Sequence, residues 1–101
     1  MNIEITQKDG IATMSIEGRI DTVTAKEFEV KMNELLALSC NEMIADCSGM
    51  TYISSSGLRG FLILQKSANA KGATLVLKHL SDPIKEVFKI TGFASIFKIE
   101  D

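Results

Sequence analysis

The apolar positions of this 101-residue chain change period in a fixed order, and that order limits the folds open to it. Ile3 and Ile5 alternate with polar residues, Asp9-Gly10 interrupts, and Ala12, Met14 and Ile16 then alternate with Thr13, Ser15 and Glu17. Period two on both sides of an Asp-Gly pair predicts a β-hairpin with a two-residue turn. Gly18 and Asp21 mark a loop. Thr24-Ala25-Lys26-Glu27 matches a capping box, and Phe28, Met32, Leu35 and Leu36 continue it as a helical stripe to about Leu38. A more continuous apolar run, Met43-Ile44-Ala45, predicts a central strand from about Glu42 to Cys47. Leu58, Phe61, Leu62 and Leu64 recur at helical spacing, predicting a second helix from about Ser56 to Ala70 that stops at Gly72. Ala73 to Leu77 reads as a strand. Asp82-Pro83 opens a third helix with a cap and a first-turn proline, Val87, Phe88 and Ile90 give its apolar side, and Gly92 ends it. Ile96, Phe97 and Ile99 suit a short last strand. The order β-β-α-β-α-β-α-β predicts an α/β fold in one domain spanning residues 1–101. Strands joined through helices run parallel by right-handed crossovers. The polar alternation of the hairpin leaves one sheet face wet, so the expectation is a mixed sheet of four to five strands with helices mainly on one face.

Composition narrows the function classes. Formal net charge is −2, and the basic residues are scattered, so neither a nucleic-acid surface nor a polybasic membrane segment is expected. A protein partner is the better default. The chain has no long apolar stretch, and Met1-Asn2-Ile3-Glu4 lacks a basic region followed by an apolar one, which predicts a cytoplasmic protein. Cys40 and Cys47 have neither redox-pair nor zinc-ligand spacing and read as reduced, buried thiols. His79 is the single histidine and falls in a loop, which argues against a His-based metal site. Met14, Met32, Met43 and Met50 read as core filler.

The stretch Asp46-Cys47-Ser48-Gly49-Met50-Thr51-Tyr52-Ile53-Ser54-Ser55-Ser56-Gly57-Leu58-Arg59 follows the central strand and opens the second helix. Backbone N–H groups at such an end lack intrahelical partners and the helix dipole is positive there, so hydroxyls cap it and a phosphate is tolerated beside it. Three serines in succession exceed what one cap requires, which leaves both a capping and a modifiable hydroxyl in play. Asp21 and Asp46 lie near the ends of apolar segments, where sites form in such sheets. Neither has a histidine or a second carboxylate close in sequence, and turn or loop hydrogen bonding is favoured over catalysis. Gly57 and Gly60 fit neither the Walker pattern nor GxGxxG, so no cofactor is expected and a nucleotide-hydrolysing protein is disfavoured. With Leu58, Phe61, Leu64 and Ala68 set toward the core, Ser55, Arg59, Ile63 and Lys66 fall on the opposite side of the second helix. Ile63 is the unusual member, an apolar residue beside a serine on an otherwise polar face.

The serine stretch closely resembles the signature of the STAS domains of bacterial anti-sigma-factor antagonists. Gly18-Arg19-Ile20-Asp21 with Thr24-Ala25, Lys71-Gly72-Ala73 and Ile90-Thr91-Gly92-Phe93 are similar to further landmarks of that family, so the likeness covers nearly the whole chain. In the family the phosphorylated residue is the serine or threonine two positions before the glycine, which lands on Ser55. Ser54 stands where many members carry aspartate. The resemblance implies a STAS-like fold and a partner switch rather than an enzyme. The unphosphorylated domain binds an anti-sigma factor that is also a serine kinase, releasing a sigma factor; phosphorylation at Ser55 ends the association and a serine phosphatase restores it. It also implies that Asp21 and Asp46 lie beside the acceptor, with Ser54, Ser56 and Gly57 in its surroundings, and the helical spacing above then makes Arg59, Ile63 and Lys66 the expected partner-facing residues. The alternative is a STAS subunit that docks on the cytoplasmic ATPase of a membrane transport complex.

Overall fold

The computed structural model describes residues 1–100. Strand β1 (Asn2–Lys8) pairs antiparallel with β2 (Ile11–Ile20) around Asp9-Gly10. Both turn residues have positive φ, 52° and 79°, the primed geometry that matches the twist of the flanking strands. Helix α1 (Ala25–Leu36), β3 (Glu42–Ile53), α2 (Ser55–Ala70), β4 (Thr74–Lys78), α3 (Asp82–Ile90), a 3-10 turn (Phe93–Ser95) and β5 (Lys98–Glu100) follow. The five strands lie in sequence order in one sheet, and every pairing after the hairpin is parallel. This is the mixed sheet that the order of apolar patterns predicts.

All three helices pack on one face. Phe28, Met32 and Leu35 of α1, Leu58, Phe61, Leu64 and Ala68 of α2, and Ile84 and Phe88 of α3 form one contiguous core with the inward residues of the sheet. Met14, Met32, Met43 and Met50 all belong to it. Rings tie the three helices together: Phe28 stands 4.9 Å from Phe61, Phe61 6.1 Å from Phe88, and Phe88 5.6 Å from Phe97. Such tilted and edge-on pairs each add about 0.5–1.5 kcal/mol beyond area burial. Val76 faces away from the helices yet is fully buried, in register with Ile44 on one side and Lys98 on the other.

Several boundaries differ from the sequence-based expectation for identifiable reasons. β2 does not end at Gly18; the strand passes through it to Ile20, with Gly18 at φ +102° beside a register shift against β3, as a bulge requires. β3 does not stop near Cys47 but runs to Ile53, so Ser54 is the entire connection to α2, which starts at Ser55 rather than Ser56. α1 ends at Leu36 rather than Leu38, and β4 is shifted by one residue to Thr74–Lys78. The N-cap of α3 is Ser81, with Asp82 in the first turn. Ile96 and Phe97 do not join the last strand, because Phe97 turns into the core against Phe61 and Phe88 and only Lys98–Glu100 pairs with β4.

The distance between α1 and α2 is set by two devices. α1 has no basic residue in its last turn, and Lys71 supplies one from elsewhere in the chain, its Nζ donating to Leu36 O at 2.5 Å and Leu38 O at 2.6 Å. At the other end Gly60 lets the helices approach: a Cβ there meets Phe28 Cε2 at 2.8 Å and Cδ2 at 3.0 Å. Replacing glycine by alanine within a helix gains about 1 kcal/mol in propensity. Overpacking against a ring that cannot swing costs about 1–3 kcal/mol. Phe28 is only 1% exposed and packed on Phe61, so the second effect wins. Gly60→Ala is expected to lower the urea midpoint with an unchanged m-value; a higher midpoint would show that the helices separate freely.

Candidate functional site

The site is built where β2 and β3 outlast the rest of the sheet. Ser15 pairs with Asp46 but Glu17 with Gly49, and Gly18 pairs with Met50 but Arg19 with Tyr52, so β3 carries one extra residue at each of two irregularities. The paired extension finishes with Ile20 opposite Ile53, and Ser54 N–H closes it by donating to Ile20 O at 2.8 Å. The strands are parallel, so both helix N-termini, α1 through the Asp21 turn and α2 through Ser54, emerge at the same edge. Gly57 is forced by this junction. A Cβ on it stands 2.8 Å from both Ile20 Cγ2 and Ile53 Cγ1, two buried side chains.

Asp21 organises the turn into α1. Its Oδ1 accepts from Val23 N–H and Thr24 N–H, each at 3.0 Å, while Asp21 N–H donates to Thr24 Oγ1 at 2.9 Å. The reciprocal bonds make a capping box between Asp21 and Thr24. The box expected between Thr24 and Glu27 is absent, because Thr24 already has helical φ and ψ and its hydroxyl is engaged upstream, with Arg19 O at 2.8 Å. The Thr24 N–H bond, with those from Val23 N–H and the Thr24 hydroxyl and the nearby Arg19 charge, holds the Asp21 carboxyl below its ordinary range against the opposing effect of partial burial.

Ser54, Ser55 and Ser56 occupy distinct environments. Ser54 is the N-cap of α2, its Oγ accepting from Gly57 N–H at 3.3 Å, and is half-buried. Ser55 is the first helical residue, exposed, and its hydroxyl has no hydrogen bond among the described residues. Ser56 is half-buried and lines a groove between α1 and α2. Arg59, Ile63 and Lys66 are exposed on α2, and Ile63 retains 50% of its surface. The groove, about 320 Å3, has Phe28, Met32 and Gly60 among its lining residues, with Lys26, Glu29 and Arg59 as its charged ones.

Asp46 does not join this group. Six residues of strand, seven steps, separate it from Ile53, on the order of 20 Å at the usual rise. Its Oδ1 accepts from Ser48 N–H at 3.1 Å, bracing the first irregularity of β3, and lies 3.1 Å from His79 Nδ1. Burial acts to raise its carboxyl, but the bonds from Ser48 and His79 outweigh it and the net shift is downward. The same strand segment pushes the Cys47 thiol up to about 12 through burial and the neighbouring Asp46 charge, which leaves it unreactive. Cys40 is half-buried and likewise free. His79 sits at a left-handed turn after β4, with φ +62°.

Sequence reasoning missed three contributors. The Arg19 guanidinium stacks 4.2 Å over the Tyr52 ring and lies 3.7 Å from Asp21, placing a cation beside the serine edge; only the β2–β3 register, with its irregularities, brings these residues level. Lys26 and Glu29 reach the groove because α1 lies against α2, and the apolar stripe of α1 does not reveal which of its flanks does so.

The sequence matches the STAS domain over residues 2–101. The chain belongs to the STAS-domain family. A candidate anti-sigma factor antagonist of Bordetella bronchiseptica, BtrV, is 29% identical over 99 residues, covering 98% of this chain and 85% of that protein. The anti-sigma-B factor antagonist of Staphylococcus aureus is 25% identical over 101 residues, covering 100% and 94%. Among solved structures, a candidate antagonist from Thermotoga maritima superposes with a TM-score of 0.89 at 20% identity over 98% of this chain and 86% of its own. No helix among the described residues is long and apolar enough to cross a membrane.

Two substitutions test the local physics. The folded Asp21 carboxyl titrates below its unfolded value of about 4, so the stability it contributes is complete above that value and is lost as pH falls through the folded one. Asp21→Asn, which keeps a capping oxygen but no charge, should be less stable than wild type at neutral pH in urea titrations, with the gap closing below about pH 4. Ser54→Ala should cost about 0.5–1 kcal/mol, at the low end for a lost N-cap because the bond is long, whereas Ser55→Ala should stay within about 0.5 kcal/mol of wild type. Equal losses for the two serines would refute the division of roles.

Proposed function

We propose that this STAS domain is an anti-sigma factor antagonist that binds an anti-sigma factor with serine-kinase activity, releases a sigma factor, and is switched off by phosphorylation at Ser55. The observation that carries the choice of serine is the contrast at the start of α2: the Ser54 hydroxyl is engaged as the cap, while that of Ser55 is exposed and unbonded among the described residues. Aspartate, the residue many family members have at the place of Ser54, is also a strong N-cap, so the serine keeps the local structure without the charge. Asp21, whose turn is bonded to the same edge, shapes the surroundings, and Arg59, Ile63 and Lys66 form the partner-facing side of α2. The work is binding, not catalysis, and the setting is the cytoplasm, where a serine phosphatase restores the active form. The names of the curated relatives favour this reading over a subunit of a transport complex.

Phosphoserine adds about −1.5 to −2 charge near neutral pH. Beside a helix N-terminus that charge is favourable by about 0.3–1 kcal/mol, so the fold has no electrostatic reason to open. A partner interface closed over a neutral hydroxyl is different: a mismatched buried polar contact costs roughly 2–5 kcal/mol. Each ~1.4 kcal/mol is a tenfold loss of affinity, so release follows. The partner is to be identified by pull-down and used with ATP on wild type, Ser54→Ala and Ser55→Ala, reading phosphate incorporation by mass spectrometry and affinity by calorimetry. Ser55→Ala should bind persistently and resist phosphorylation, and Ile63→Asp should lose binding without unfolding. Phosphorylation of Ser55→Ala but not of Ser54→Ala would reassign the acceptor; unchanged affinity after phosphorylation would refute the switch.

A further inference from the structure

From the charges around the α1–α2 groove we infer the chemistry of what it binds: an amphipathic helix of the partner, its apolar side chains on the groove and its flanking residues acidic. This names the partner chemistry of the antagonist reading and in that sense rests on it. The protein carries a net charge of −2, yet α2 contains two basic residues and no acidic one. Lys26 and Arg59 line the groove against the single acid Glu29, and Lys66 lies just beyond Ile63 on the exposed side of α2. Among the described residues none of these three cations has an ion pair, as is also true of Lys8, Lys71 and Lys89 elsewhere, whereas Arg19, Lys31, Lys78 and Lys98 are each paired. An unpaired basic rim around an apolar groove complements an acidic rim around an apolar ridge.

The shape argues for a helix. Both walls are helices and present no strand edge, so an added strand has nothing to pair with, and side chains laid in at helical spacing remain. At about 320 Å3 the groove is at the bottom of the range for small-molecule pockets, roughly 300–1,000 Å3, and fits one or two large side chains. Phe28 and Met32, both buried, form its floor, and the accessible apolar surface is that of Gly60 and of Ile63, which is half-exposed. Ser56 also lines the groove, so a phosphate on adjoining Ser55 stands at its mouth. Its charge of about −1.5 to −2 exceeds the single net positive charge of the lining residues and reverses the sign. An acidic partner is then repelled by the modification, with no change in the domain's own shape.

The test uses two synthetic helical peptides that share one leucine-rich face, flanked by glutamates in one and by lysines in the other, titrated into the full 15N-labelled chain. The glutamate peptide should shift the amide signals of Phe28, Gly60 and Ile63. Its affinity should fall roughly tenfold or more in Lys26→Glu/Arg59→Glu, and also when salt is raised from about 0.05 to about 0.5 M, where screening shortens to a few ångströms. Signal dispersion of the variant reports that it is folded; if it is not, Lys26→Gln and Arg59→Gln replace it. Equal or tighter binding of the lysine peptide, no shifts at the groove with either peptide, or self-association through the groove that the double variant abolishes each overturn the inference. These arms need no cognate partner. Failure here with an intact Ser55 switch rejects the acidic helix alone, and failure of the switch with glutamate-selective binding rejects the antagonist reading alone.

Discussion

The structure depends on the pairing of β2 and β3 beyond the point where the other strands have ended. That two-strand extension carries Ile20 and Ile53 to the same level, and the bond from Ser54 N–H to Ile20 O fixes where both chains must turn. Parallel direction then delivers two helix N-termini to one edge, each with its own cap, Asp21 for one and Ser54 for the other. Gly57 can only be glycine because the two isoleucines below it fill the space a Cβ needs. The exposed, unbonded hydroxyl of Ser55 lies at a junction whose capping is already supplied by Asp21, Thr24 and Ser54.

The helical layer is held by the core on its inner side and by a cation on its outer one. The chain of phenylalanines from Phe28 through Phe61 and Phe88 to Phe97 joins α1, α2, α3 and the entry to β5, so a shift of any helix is resisted by the others. Lys71 satisfies the carbonyls at the end of α1 from the turn after α2, which fixes the far end of the same helix pair. Between these anchors the close approach at Gly60 leaves a groove that is neither closed like the core nor flat like the sheet face.

Charge is distributed with the same economy. On the open face of the sheet, Lys78 and Lys98 pair with Glu100, each at 3.8 Å, and Asp46 meets His79. Exposed pairs of this kind contribute little stability, about 0–1 kcal/mol each. The basic residues of α2, Arg59 and Lys66, have no such acidic neighbours among the described residues.

Element order, the hairpin at Asp9-Gly10, the single-sided helical layer and the outward row of Ser55, Arg59, Ile63 and Lys66 were legible from the sequence, because periodicity and turn chemistry are local properties that burial merely ratifies. The capping box was misplaced because Thr24 satisfies the pattern in either direction, and only the strand end at Ile20 decides that Asp21 is the cap. β3 reads as ending at Cys47 because its continuation, Ser48 to Thr51, is polar and glycine-bearing; pairing with β2, including two irregularities, makes it a strand. Asp46 is near the serines in sequence and far from them in space, since an extended chain covers distance faster than any other conformation. Arg19 over Tyr52 and the groove against Lys26 are contacts between segments remote in the chain. The sequence alone determined most of the residues that face inward, since that follows from period, though Ile90, read as part of the apolar side of α3, is exposed and Cys40, read as buried, is half-buried; the tertiary structure decided which outward residues share a surface, since that depends on strand register and helix spacing, both set by long-range packing.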